Sequence, residues 1–204
     1  MTSAVSPGLR SAGPGDAEVL YRIYASTREA ELAVVSWDAA AKEAFLRMQF
    51  GAQDTHYHRT YPKASYDLIV AVEGAVEVAV EGAGEDVLGR LYVHRGETAW
   101  RVIDIALLPE HRGQGLGTRL LAGILAEADA AAKPVQIYVE RFNPARRLYD
   151  RLGFAQIADQ GVYLLLERQP RSAVDATATR TPPHSASPSR PRPAPQAHPG
   201  RSER

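Results

Sequence analysis

The chain has 204 residues, a length that one folded domain with flanking segments accounts for. Apolar residues make up 45% and charged residues 24%, and 24 basic residues balance 24 acidic ones, so the net charge is zero. These values exclude a fibrous or wholly disordered chain and argue against a nucleic-acid partner, which usually requires a basic excess. The absence of cysteine excludes disulfides, thiolate metal sites and a cysteine nucleophile.

The two ends of the chain differ in composition from its middle. Residues 1–15 are rich in Ser, Gly, Ala and Pro, which predicts a short disordered extension and no secretory signal. Residues 169–204 hold eight of the fourteen prolines and six arginines against two acids, which predicts a disordered tail. No apolar run approaches the ~18 residues of a membrane helix. We therefore expect one cytoplasmic domain over 16–168, with neither a membrane nor a nucleic acid as partner.

The first half of this domain is predicted to hold a strand, a helix and three further strands. Polar and apolar residues alternate over 18–25, which predicts a strand. Asp38 is suited to cap a helix that continues into the polar, aromatic stretch before Pro62. Three apolar segments then predict a meander of strands, the last two joined by a hairpin turn, over 66–72, 87–94 and 100–108.

The second half alternates helices and strands. Apolar residues recur on one helical face after the last of these strands, at Leu116, Leu120, Leu121, Ile124 and Leu125. Residues 135–140 predict a strand, 143–152 a short helix that ends at Gly153, and 161–167 a final strand. This order predicts a mixed sheet with helices on its faces, an α/β architecture.

A glycine-rich segment, R-G-Q-G-L-G at 112–117, follows an apolar strand and opens a helix. Such glycines let backbone N–H groups approach an anion, the helix N-terminus adds positive potential, and Arg112 adds donors suited to phosphate. A P-loop would need lysine before Thr118, and a dinucleotide fingerprint starting at Gly113 would need glycine at position 118. The pattern R/Q-x-x-G-x-G/A fits, with a glycine-rich turn that binds no ligand as the alternative.

A second block follows, with Asn143–Pro144–Ala145, then Leu148–Tyr149, then Gly153–Phe154. Together the two blocks resemble the GNAT superfamily of acyl-CoA-dependent N-acyltransferases, over roughly residues 17–168. The resemblance implies a three-layer fold, in which a mixed, mostly antiparallel sheet carries helices on both faces. The spacing from Asn143 to Tyr149 is one residue shorter than in many members, which bears on where the Tyr149 hydroxyl lies.

The resemblance also implies acetyl-CoA as co-substrate and a set of residues that hold it. Backbone groups of Ile105, Ala106 and Leu107 would pair with the pantetheine arm, and Asn143 would contact the same region. Arg112 and the backbone N–H groups of the glycine loop would hold the pyrophosphate; the loop residues are Gly113, Gln114, Gly115, Leu116, Gly117 and Thr118.

Transfer of an acyl group to an amine requires a base for the amine and an acid for the departing thiolate. By resemblance Tyr149 is the acid; the alternative is an aromatic side chain packed under the sheet. Asp104, within an apolar strand, is suited to be the base; the alternative is a carboxylate paired with a neighbouring strand or loop. Glu140 is more typical of a solvated or salt-bridged residue, and a chain of waters is a further alternative for the base.

The acceptor is expected to bind the aromatic stretch through Gln53, His56, Tyr57 and Tyr61. No metal is expected, because His56 and its neighbour His58 lack the carboxylate–histidine spacing of a known site. Glu31 suits either an ammonium partner or a surface charge. Direct transfer in a ternary complex follows from the absence of cysteine.

We therefore expect an N-acetyltransferase that acts on a primary amine of a small molecule. One alternative is a module that binds acyl-CoA without catalysis. Another is an enzyme that acetylates a protein N-terminus or lysine. The family also implies a homodimer.

Overall fold

The computed structural model describes residues 6–72 and 86–171. The strands are β1 (Ser6–Ser11), β2 (Ser65–Val72), β3 (Val87–Arg95), β4 (Trp100–Leu107), β5 (Val135–Glu140), β6 (Ala155–Gln160) and β7 (Tyr163–Arg168). The α-helices are α1 (Ala17–Ala33), α2 (Ala39–Thr60), α3 (Leu116–Ala130) and α4 (Arg146–Leu152). In these two described ranges no helix is both long and apolar enough to cross a membrane.

The strands form one sheet in the order β1-β2-β3-β4-β5-β7-β6. Neighbouring strands are antiparallel except β4 and β5, which are parallel. The β4–β5 ladder is short and ends where Val102 meets Ile137, although β4 continues to Leu107 and β5 to Glu140. The two strands therefore separate, and within residues 6–72 and 86–171 the second half of β4 has no strand partner on that side.

Successive residues of a strand point to opposite faces of the sheet, and helices pack on both of these faces. Leu68 and Val70 of β2 pack with Ile23 of α1, which is fully buried. Ile69 between them belongs to the opposite core, together with Leu121 of α3. Burial of each such aliphatic side chain stabilises the fold by about 1.5–3 kcal/mol. The predicted mixed sheet with helices on both faces is confirmed.

The strand predicted at 18–25 is wrong, since this segment belongs to α1. Its buried residues recur with helical spacing, at Leu20, Tyr21, Ile23 and Tyr24. A short alternation of polar and apolar residues fits either period, and packing against the sheet selected the helix.

The prediction of disorder over 1–15 is wrong for residues 6–15. Residues Ser6–Ser11 form β1, which pairs with β2 along its whole length, and a short helical turn follows at Pro14–Asp16. An edge strand gains its stability from backbone hydrogen bonds, so this Ser- and Gly-containing segment needs few large apolar side chains. The predicted disordered residues 1–5 and 172–204 lie outside the described ranges.

The remaining elements follow the predictions closely. The three-strand meander, α3, β5 and the C-terminal strand are confirmed, and Gly153 ends α4 at a φ of 89°. The short helix begins later than predicted, at Arg146, and β6 is an additional strand. The aromatic stretch before Pro62 proves to be the last turns of α2, whose N-cap is Asp38 as predicted.

Candidate functional site

A cavity of about 220 Å³ lies where β4 and β5 separate. Its walls come from α1, α2, β3, the second half of β4, the end of β5 with the segment that follows it, α4 and β7. Charged and polar side chains line it: Thr27, Arg28, Glu31, Gln53, Arg90, Asp104, Glu140 and Asn143. Tyrosines complete the wall: Tyr24, Tyr57, Tyr138, Tyr149 and Tyr163.

The glycine loop before α3 has the conformation that its sequence requires. Gly113 and Gly115 have φ angles of 74° and 78°, in the left-handed region that favours glycine. The backbone N–H groups of 113–118 donate no hydrogen bond within the described ranges. A Cβ built on Gly113 or Gly115 would meet no atom within 4 Å, so the space beside the loop is open. Six open donors at a helix N-terminus fit an anion such as pyrophosphate.

The side chain of Arg112 makes contacts that the sequence did not suggest. Its Nε donates to the carbonyl of Leu107 at 2.8 Å, and its Nη2 donates to Ser26 Oγ at 3.0 Å. The guanidinium therefore joins the end of β4 to α1. Gln114 is also held by the protein, because its side-chain amide donates to the carbonyl of Glu110 at 2.9 Å.

The free edge of β4 is held in place by a glycine that sequence reasoning missed. Gly89 of β3 faces Leu107, and a Cβ at Gly89 would lie 2.1 Å from the carbonyl oxygen of Ala106. Only glycine permits this approach of the two backbones. A glycine inside an apolar strand is the available signal, since it often marks close backbone contact.

Asn143 shapes the turn that positions Tyr149. Its Oδ1 accepts a hydrogen bond from the N–H of Ala145 at 2.9 Å, just before α4 begins. The Tyr149 ring packs edge-on against Phe154, with centroids 5.8 Å apart. The Tyr149 ring is therefore packed, as the alternative interpretation expected, and the side chain also lines the cavity.

The Tyr149 hydroxyl is available as a proton donor. It has no hydrogen-bond partner among residues 6–72 and 86–171. Burial, with a smaller contribution from the charge of Asp104, raises the pKa of Tyr149 to about 12. The hydroxyl is therefore protonated at neutral pH.

Asp104 is paired with a buried arginine on the neighbouring strand. Its Oδ2 accepts from Arg90 Nη2 at 2.8 Å and, over a longer 3.4 Å, from the Tyr57 hydroxyl. A β-bulge makes this pairing possible, because Tyr92 faces Asp104 while the next residue of β3 faces Val102. The extra residue in β4 turns Asp104 to the same face as Arg90.

Arg90 is a site residue that sequence reasoning missed. It is only 2% exposed, between Gly89 and the buried Leu91 of β3. An arginine and an aspartate in two successive apolar strands were the available signal for a buried ion pair.

A second group of ion-paired side chains lies in the cavity wall. Arg28 of α1 donates to Glu31 at 2.9 Å and to Glu140 of β5 at 3.2 Å. Glu140 is therefore salt-bridged, as its alternative interpretation held, and Glu31 lies in the cavity wall. Arg28 was not predicted, and helix assignment alone would not have identified its partner on β5.

The four predicted acceptor-binding residues separate into two groups. Gln53 and Tyr57 line the cavity, one helical turn apart, and burial raises the pKa of Tyr57. His56 is exposed on another face of α2, and Tyr61 follows the helix and contacts the ring of His94. The 3.6-residue period of the helix divides the stretch in this way. Within the described ranges, no group of three His, Asp or Glu side chains is arranged as metal ligands would be.

Comparison with known proteins gives a family match over the central part of the chain. The family model for the acetyltransferase (GNAT) domain matches residues 65–156, which include the meander, the glycine loop and α4. No curated protein matches the chain.

Solved structures share the fold at low sequence identity. PaiA N-acetyltransferase from Thermoplasma acidophilum, in complex with coenzyme A, is 15% identical with a TM-score of 0.57, over 80% of this chain and 99% of that one. An acetyltransferase from Thermus thermophilus is 20% identical with a TM-score of 0.55, over 81% and 98%. A histone acetyltransferase HPA2 and related acetyltransferase from Corynebacterium glutamicum is 18% identical with a TM-score of 0.54, over 82% and 98%.

Proposed function

We propose that this chain, whose residues 65–156 match the GNAT acetyltransferase domain, transfers an acetyl group from acetyl-CoA to a primary amine of a small molecule. The observation that carries the proposal is the row of six open N–H groups at 113–118, beside the free edge of β4. A diphosphate needs donors at a helix N-terminus, and the amides of pantetheine need unpaired peptide groups.

The residues present fit the donor substrate. The N–H groups of 113–118 would hold the pyrophosphate, and the main chain of Ile105, Ala106 and Leu107 would pair with the pantetheine amides. Asn143 lines the same cavity and would contact the pantetheine end. Acetyl-CoA, when bound, supplies the acyl group as an activated thioester.

The side chains of the cavity support direct transfer. The ammonium loses a proton to solvent, and the nitrogen of the neutral amine bonds to the acyl carbon. The nitrogen then releases its second proton to solvent as the carbon–sulfur bond breaks. The Tyr149 hydroxyl donates its proton to the sulfur and recovers one from solvent, so the products are the N-acetylated amine and the free thiol. Oδ1 of Asp104, the oxygen that Arg90 does not use, accepts a hydrogen bond from an N–H group of the amine. The absence of cysteine supports transfer without an acyl-enzyme.

The dimensions of the cavity favour a small acceptor. About 220 Å³ accommodates a small amine, and in the cavity wall Arg28 of α1 donates to Glu140 of β5 at 3.2 Å. A protein N-terminus or lysine would need an open groove at this position.

A thermal melt with and without acetyl-CoA tests the proposal. At about 100 times its dissociation constant the ligand would add about 2.7 kcal/mol, a rise in Tm of roughly 5–10 °C for a chain of this size. No rise at millimolar acetyl-CoA would contradict the proposal. A rise without acetyl transfer to any amine would favour the non-catalytic module.

Gly117→Ala tests whether the ligand binds at the glycine loop. A Cβ at Gly117 would meet only Leu148 Cδ2, at an ordinary 3.8 Å, so the variant should fold. Alanine in a helix is expected to stabilise the fold by about 0.5–1 kcal/mol relative to glycine. We expect a higher Tm without ligand and a smaller rise with acetyl-CoA. An unchanged rise would mean that the ligand does not approach this turn.

A further inference from the structure

The cavity contains a buried guanidinium whose donors are only partly used. Within the described ranges, both hydrogen bonds of Arg90 leave from Nη2, to Asp104 Oδ2 at 2.8 Å and to Gln53 Oε1 at 3.1 Å. Nε is buried without a partner in the same ranges, and neither hydrogen bond involves Nη1. A donor without an acceptor costs free energy, and Arg90 lines the cavity, so Nη1 is the nitrogen suited to bind a further partner there.

The carboxylate beside Arg90 is also only partly used. Asp104 receives both of its hydrogen bonds, from Arg90 and from Tyr57, on Oδ2. Its Oδ1 therefore has no donor among the described residues. The pair offers one set of N–H donors and one carboxylate oxygen, side by side on the wall of the cavity.

We propose that the acceptor is a small amine that also carries a carboxylate, of the amino-acid class. Its carboxylate would bind the guanidinium of Arg90, and its amino group would donate to Asp104 Oδ1. Both N–H groups of Nη2 are already used, so the ligand carboxylate would accept from Nη1, in a charge-assisted hydrogen bond of the stronger kind. This inference rests on the proposed acetyl transfer.

Other charges in the cavity do not provide an equivalent site. Arg28 already bonds two carboxylates, Glu31 and Glu140. A simple amine or a polyamine has no anionic group, so it would leave the donors of Arg90 unsatisfied. An amino acid matches both halves of the Arg90–Asp104 pair at once.

The decisive experiment compares matched acceptors on the full-length protein. L-amino acids, their amides and the corresponding decarboxylated amines are supplied with acetyl-CoA, and release of the free thiol is measured. We expect kcat/KM for at least one amino acid to exceed that of its amide by roughly 10- to 100-fold, the effect of hydrogen bonds to a charged group. The amide has the less basic amine, so its chemistry alone would favour the opposite result.

Arg90→Lys tests whether Arg90 is responsible. Lysine keeps a positive charge beside Asp104 but has a single nitrogen, and therefore no equivalent of Nη1. The preference for the acid over the amide should fall to within about 3-fold. Arg168→Lys, the same change at another buried arginine that pairs with an aspartate, should leave the preference unchanged.

The outcomes separate this inference from the proposed function. Equal use of acids and amides, or transfer to amines without a carboxylate only, overturns the inference and leaves acetyl transfer intact. A preference that survives Arg90→Lys overturns the role of Arg90. Transfer to none of the amines, with acetyl-CoA still raising the Tm, overturns both proposals. Because the wild-type comparison needs no variant, it decides even if Arg90→Lys fails to fold.

Discussion

Two buried arginines in the described part of the chain pair with aspartates, and the pairs differ in how many of their donors and acceptors are used. Arg168, at the end of β7, contacts Asp129 of α3 through both terminal nitrogens, each on its own carboxylate oxygen. The N–H of Arg171 adds a third donor to Asp129 at 2.8 Å. Arg90 instead reaches Asp104 with a single nitrogen, and this pair lines the cavity.

Both arginines leave Nε without a partner in the described ranges, so Nε alone does not distinguish them. What differs is the use of the terminal nitrogens and of the carboxylate oxygens. Arg168 and Asp129 use both and join α3 to the sheet. Arg90 and Asp104 each leave one unused beside a cavity. A closed ion pair serves the fold, whereas an open pair at a cavity can bind a ligand.

The largest effect is expected at Tyr149, which the charge of Asp104 influences across the cavity. Tyr149→Phe removes the proposed proton donor, so kcat should fall by roughly 10²–10⁴-fold. The rise in Tm with acetyl-CoA should persist, because the ring and its packing remain. Steady-state kinetics and a melt measure the two effects.

Tyr21→Phe is the control for this comparison. Burial, with its hydrogen bond to Glu43, raises the pKa of Tyr21 to about 12 as well, but Tyr21 lies outside the cavity wall. The kcat of the Tyr21→Phe variant should stay near the wild-type value. Equal losses in the two variants, or none in Tyr149→Phe, would remove Tyr149 from the mechanism.

The closed pair, Arg168 and Asp129, should stabilise the fold and have no effect on the preference among amines. Arg168→Met leaves Asp129 charged and only partly compensated, which should lower the free energy of unfolding by about 3–5 kcal/mol. Adding Asp129→Leu should restore much of this loss. Denaturant unfolding measures both variants, and a change in amine preference in the double variant would contradict the distinction between the two pairs.

The pH dependence of activity should reflect the acceptor and not Tyr149. With a pKa of about 12, the Tyr149 hydroxyl stays protonated from pH 7 to 10. The rate should therefore rise with pH as the amine loses its proton, without a fall over this range. A rate that declines above pH 8, in a protein still folded by circular dichroism, would argue against a tyrosine acid.

A smaller effect of pH, on the stability of the fold, is expected from the closed pair of Arg168 and Asp129. Hydrogen bonds from Arg168, opposed by burial, lower the pKa of Asp129 below 3.8. A carboxyl whose pKa is lower in the folded state stabilises the fold at neutral pH, and this stability is lost as pH falls below 3.8. The variant with Arg168→Met and Asp129→Leu should lose less stability than wild type between pH 4 and 2. Parallel curves for the two proteins would contradict this assignment.

Features that depend on local chemistry could be predicted from the sequence. The left-handed glycines at 113 and 115 open α3 as their pattern indicates, and Gly153 ends α4. Each reflects a backbone conformation that other residues adopt only at a cost, so a few neighbouring residues suffice to identify it. The segment at 18–25 lacked such a signal, because its alternation fits a strand and a helix equally.

The acceptor side of the cavity depends on which residues meet in space. The period of α2 turns Gln53 and Tyr57 into the cavity and His56 out of it. Sequence reasoning selected all three, because it treated the stretch as following the helix and not as part of it.

The order of most elements, the glycine loop and the family resemblance can be read from the sequence, because each rests on contacts between near neighbours. The partner of Asp104 depends on the tertiary structure. If the register that places Val102 opposite Val93 continued without a bulge, Asp104 would oppose Leu91 and face the core under α3. A bulge of one residue turns a strand to its other face, and here it places a carboxylate beside Arg90 in the cavity. Such a shift in register depends on the pairing of two strands, which neither strand encodes alone.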